Sequence, residues 1–176
     1  MANVDHKVSL ISGIHDLLPN RTGGAVMQKN LEALGDIQYS QEEIDFAIEM
    51  QKANGKPTVG IDGKIRPLRE TLESPGGGST DVGDVSWMVP TARLRVDTWV
   101  PGTSAHTWQA VSAGGMSIGM KGMINAAKVI SGAAYDIYNN PKIVKDAKKE
   151  LIERRGPKFN YYSMLGDRKP PLDYRK

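Results

Sequence analysis

The chain has 176 residues, 39% hydrophobic and 24% charged, with 19 glycines, 10 prolines, three histidines and no cysteine. That is the size and balance of one globular domain, or of one domain plus a piece of another. A net charge of +3 is too weak to argue for nucleic acid, and the missing cysteines exclude a disulfide framework. No run reaches the roughly 20 apolar residues that span a bilayer, and the polar N-terminus has no apolar leader segment. A cytoplasmic protein with neither membrane nor nucleic-acid partner is expected.

Lys7 to Ile14 is rich in β-branched residues and predicts a strand, closed by the turn at Leu18-Pro19-Asn20. Thr22 to Leu34 carries Val26, Met27, Leu31 and Leu34 on one face and predicts a helix stopped by Gly35. Ser40 and Glu43 form a capping-box pattern that opens a second helix ending near Ala53. Adjacent glutamates such as Glu42-Glu43 resemble a catalytic pair, but the cap position of Glu43 favours a structural role. Asp62-Gly63 suits the turn of a short hairpin over 59–65. Val85 to Met88 fits a helical turn or a strand end.

Thr91 to Val100 alternates in polarity and predicts a strand. A helix is expected from about Ser117 to Tyr138, apolar nearly all round and therefore buried. Its Met116, Met120 and Met123 suit gap-filling in a core better than metal binding. Pro141 opens a charged helix to Arg154, halted by Gly156-Pro157, and the tail has no periodicity. The expected fold class is thus mixed α/β, although two or three strands are few for a self-sufficient sheet.

Two places offer chemistry. In the run Ser74 to Asp84, consecutive glycines let backbone N–H groups converge on an anion, and Ser79 and Thr80 add hydroxyls. By composition alone the better reading is a plain surface loop in which Thr80 or Asp81 caps a helix. It lacks the spacing of a phosphate or dinucleotide loop. His106, between a strand and a helix, sits where a ligand or acid–base residue often does, although a lone loop histidine is more often structural. Trp87, Trp99 and Trp108 bracket the two loops; an aromatic pocket and simple burial explain them about equally.

Taken in order, these motifs carry a resemblance. They are Gly78-Ser79-Thr80-Asp81-Val82-Gly83-Asp84-Val85-Ser86-Trp87, then Gly102-Thr103 with His106-Thr107-Trp108-Gln109, then Lys121-Gly122-Met123 and Gly166-Asp167-Arg168-Lys169-Pro170-Pro171. Together they resemble the C-terminal part of metal-dependent amidohydrolases of the aminoacylase and carboxypeptidase G peptidase superfamily. Ser12 to Asn20 with Gln28-Lys29-Asn30-Leu31 is similar to the family's exit from its lid and re-entry into its catalytic domain.

The resemblance implies a lid and dimerisation strand with its hinge at 1–20, the C-terminal part of a zinc-peptidase-like catalytic domain at 21–158, and an extended tail at 159–176. It implies that His106 is a metal ligand, and that Gly77, Gly78, Ser79, Thr80 and Asp81 bind substrate. The substrate would be an N-acyl amino acid such as p-aminobenzoyl-glutamate. The divalent metal, zinc or manganese, would belong to the complete enzyme and would not be held tightly by this chain. The family's other metal ligands and its catalytic glutamate have no counterpart here. The expectation is therefore a C-terminal fragment, inactive alone, which self-associates or joins a separate N-terminal half. The alternative is a non-catalytic binding or oligomerisation module that keeps part of the fold.

Overall fold

A computed structural model describes residues 4–69, 80–170 and 172. The expected α/β sheet is not there. Half of the described residues are helical, and among them the only β pairing is one parallel bridge between Pro19 and Thr91. The physical reason lies in the segment 91–100. Arg93, Arg95, Asp97 and Trp99 point out while Leu94, Val96, Thr98 and Val100 turn inward, so the period of two is real. Polarity that alternates orients side chains, but a strand also needs a neighbour for its N–H and C=O groups. Among the described residues its one backbone bond to a distant segment comes from Asn20, whose N–H donates to Thr91 O at 2.8 Å; Val100 O accepts only from the following turn, Thr103 N. The predicted lid strand likewise runs unpaired, with Val4, Val8, Leu10 and Ile11 exposed. At Asp62-Gly63 the turn forms but no hairpin does: Gly63 takes φ +63 and its carbonyl accepts from Ile37 N.

The helices follow the sequence closely. α1 (Arg21–Leu34) starts at Asn20, whose side chain accepts from Gly23 N, and stops at Gly35 with φ +77. α2 (Gln41–Ala53) has the full capping box between Ser40 and Glu43. α3 (Val82–Met88) settles the ambiguous turn as helix. α4 (Trp108–Gly114) is short and was not foreseen. α5 (Ser117–Asn139) is the longest element, and α6 (Pro141–Arg155) begins on its proline.

α5 is the spine. It packs against α1, α4 and α6. Its start joins a core of Ala47, Met50, Ile61, Val100, Ala113 and Ile118. Farther along, Val129 and Ala133 are buried. α6 clamps the start of α1: the Glu150 carboxylate accepts from Arg21 N at 2.6 Å, Thr22 N at 2.8 Å and Thr22 Oγ1 at 2.7 Å.

The expectation that α5 is buried all round needs correction. Met120, Met123, Ile124, Ile130 and Ile137 are exposed along its length. The whole chain exposes 13081 Å², whereas a self-sufficient globular protein of 19.2 kDa exposes about 8,400 Å². Apolar periodicity shows that a face wants cover; it does not show that the same chain supplies the cover.

Candidate functional site

His106 lies in the turn that leads into α4. Two anchors place that turn. The buried Gln51 amide donates to Gly60 O at 3.0 Å and to Pro101 O at 3.2 Å, and accepts from Gly60 N at 2.9 Å. Thr107 then caps α4: its hydroxyl donates to Ser104 O at 2.8 Å and accepts from Ala110 N at 3.3 Å. Between these anchors His106 takes φ +60, and no other non-glycine described residue has a positive φ. Left-handed backbone costs a residue with a Cβ about 1–2 kcal/mol.

The imidazole is exposed. It borders a hollow of about 410 Å³ lined also by Trp99, Thr107, Ala110 and Val111. Trp108 keeps 66% of its surface exposed, so burial does not account for it, whereas Trp99 buries most of its surface and keeps 38% exposed at the hollow. Trp87 is different. It is half-buried, and its indole N–H donates to Asp16 O at 2.7 Å.

Gly77, Gly78 and Ser79 lie outside the described residues. Thr80 and Asp81 enter α3. Thr80 O accepts from Gly83 N at 3.0 Å and Thr80 Oγ1 from Val82 N at 3.4 Å, while Asp81 makes no side-chain cap. Neither residue lines the hollow beside His106, so the described part of the expected substrate loop and the expected ligand are not brought together.

The donor set does not fit a metal ion. Zinc takes about three or four protein ligands. His106 offers one nitrogen, and its neighbours in the hollow are two apolar side chains, an indole and a hydroxyl. Among the described residues no three His, Asp or Glu side chains gather as a metal-binding group.

Two clusters escaped the sequence. The first surrounds His15, which is buried. Its ring packs on Trp87 at 5.5 Å, Phe159 at 6.1 Å, Tyr161 at 5.7 Å and Tyr162 at 5.0 Å between centroids. Nε2 lies 3.0 Å from Tyr162 O, and His15 N donates to Asp84 Oδ1 at 2.9 Å. This knot fastens α3 to the segments around His15 and around Phe159 to Tyr162. It joins residues 69 and 147 positions apart, which no local pattern reveals.

The second cluster is built on Glu43. Its carboxylate accepts from Ser40 N at 2.6 Å, Ser117 Oγ at 2.5 Å and Lys121 Nζ at 2.6 Å. Burial pushes its pKa up, but the hydrogen bonds from Lys121, Ser117 and Ser40 outweigh that and hold it at about 2. Beside it, burial with Asp97, Glu43 and Asp62 pushes the Tyr39 hydroxyl up to about 12. Glu43 is thus an ionic rivet between α2 and α5, which agrees with its structural reading. The capping box was visible in sequence; the partners on α5 were not.

In class, then, this is a helical segment that presents a single imidazole at an open, tryptophan-flanked hollow and leaves a long apolar face uncovered. The relationship that the motifs suggested is shown by comparison. The chain is 32% identical, over 157 residues of alignment, to one of the subunits of p-aminobenzoyl-glutamate hydrolase from Escherichia coli strain K12, with 76% of the chain covered. It spans about a third of that relative, 33% of its length. No family model matches the chain, and no solved structure does. No helix among the described residues is long and apolar enough to cross a membrane.

Proposed function

We propose that the chain is the C-terminal segment of a metal-dependent amidohydrolase that cleaves N-acyl amino acids such as p-aminobenzoyl-glutamate. Its share of the site is His106, with Gly77, Gly78, Ser79, Thr80 and Asp81 in the substrate loop, and the remaining ligands come from residues outside it. The observation that carries this reading is the 32% identity to a subunit of p-aminobenzoyl-glutamate hydrolase, in a chain whose His106 stands exposed. The uncovered face of α5 and the excess exposed area support a composite protein, because large apolar faces mark association surfaces. The divisions at residues 20 and 158 belong to the same proposal, as do a cytoplasmic location and pairing of copies when the complement is absent.

The test is complementation. The chain is expressed alone, and then with a polypeptide covering the rest of the relative, and release of p-aminobenzoate is followed with zinc or manganese added. No release by the chain alone, release by the pair, and loss of release in His106→Ala are expected. Hydrolysis by the chain alone would overturn the incompleteness. Failure of every complement would favour a non-catalytic module that retains part of the fold.

A further inference from the structure

We infer that the hollow beside His106 is a subsite for a planar aromatic acyl group, with Trp99 as its stacking wall. The inference rests on the amidohydrolase reading for its biological sense, but the subsite is defined by geometry that needs no catalysis. A tryptophan is costly to leave in water, and aromatic side chains usually bury most of their area. Trp99 buries most of its surface and leaves the remaining 38% open beside the histidine, and Trp108 and Val111 stand exposed on the first turns of α4.

The Trp99 wall is fixed from behind. Val100, the next residue, is buried at 2% exposure, and Pro101 is tied to Gln51. The indole Nε1 lies 3.9 Å from where a Cβ on Gly114 would stand, so the ring closely approaches the end of α4. The indole N–H makes no hydrogen bond among the described residues and remains able to donate to a carbonyl or carboxylate. The 410 Å³ of the hollow falls within the size of small-molecule sites, about 300–1,000 Å³. An apolar floor of Ala110 and Val111, an indole wall and a few polar atoms from His106 and Thr107 suit a flat ring with a polar substituent. They do not suit a charged aliphatic side chain such as that of glutamate, because no lysine or arginine lines the hollow.

The full chain should be titrated with p-aminobenzoate, cyclohexanecarboxylate and glutamate while the Trp99 indole N–H is followed by NMR, its signal assigned with Trp99→Phe, and the affinities of wild type and variants should be compared by isothermal titration calorimetry. A saturable shift with p-aminobenzoate and weaker responses to the other two are expected. Trp99→Ala should weaken p-aminobenzoate binding about 2- to 12-fold, the weight of one aromatic pair, and Trp99→Phe should retain binding within about 2-fold, since a ring remains to stack. No saturable shift, equal binding of glutamate, or unchanged affinity in Trp99→Ala would overturn the subsite.

In a complemented enzyme, Trp99→Ala should raise KM for p-aminobenzoyl-glutamate and leave N-acetyl-glutamate unaffected; equal loss on both would overturn it too. If no complement restores hydrolysis, the amidohydrolase reading fails while the ring titration still decides the subsite.

Discussion

Removing the Glu43 carboxylate should destabilise the chain more than any other single change on the surface of α2. Glu43 is 8% exposed and accepts from three donors, one at the start of its own helix and two on α5. Glu43→Ala deletes the reciprocal half of the capping box, worth about 1 kcal/mol. It also strips the charge-assisted bonds from Lys121 and Ser117, worth about 1.5–3 kcal/mol between them. The lower part of that range is appropriate, because the Lys121 side chain is 38% exposed and water screens it. The sum is about 3 kcal/mol, or roughly 6–12 °C in Tm for a chain of this size. Glu43→Gln keeps an acceptor for Ser40 and loses only the charge, so about half of that effect is expected. The pH dependence carries a definite sign. The folded pKa is depressed from 4.5 to about 2, so the carboxylate's contribution is complete above pH 4.5 and disappears as pH falls toward 2. Thermal melts by circular dichroism at several pH values test both parts. A Glu43→Ala melt within about 2 °C of wild type at pH 7 would refute the reasoning, and so would a gap between wild type and Glu43→Gln that stays the same from neutral pH to about pH 2.

Gly83→Ala would drive a Cβ into the His15 carbonyl oxygen; both atoms are backbone-fixed, so a loss of about 2–3 kcal/mol and a weakened near-ultraviolet signal from Trp87 are expected. His106→Gly should abolish hydrolysis in a complemented enzyme yet leave the melt no lower than wild type, because relief of φ +60 offsets the roughly 0.5–1 kcal/mol that glycine usually costs. A drop of more than about 3 °C would show that the imidazole carries stability. If copies pair as proposed, Ile130→Glu on the outer face of α5 should weaken that pairing about ten-fold or more in sedimentation and shift Tm by less than about 3 °C, since Ile130 is 51% exposed.

Local chemistry was legible wherever the physics is local. Ser40 with Glu43, Gly35 after α1 and Pro141 opening α6 each act within a few residues, and the structure uses every one. What failed was every inference that needed a second element. The alternation from Thr91 to Val100 sets which side chains face inward, and Leu94 and Val96 do so, but a sheet requires a neighbouring strand that the described residues do not offer. The apolar stripe on α5 likewise required a neighbour and was read as burial, while Met120, Met123 and Ile124 stand in solvent. The His15 knot was missed for the converse reason: its partners exist but lie far apart along the chain.

The two failed expectations have the same form. A segment patterned to pair and a helix patterned to be covered both lack, among the described residues, the surface that would satisfy them. The same holds at His106, where an imidazole on a left-handed turn faces a hollow without further ligands. A left-handed histidine costs stability, and the open part of Trp99 adds apolar area beside it. Their occurrence side by side is more simply explained if the site and the faces are completed from outside the chain, which is the condition that complementation imposes directly.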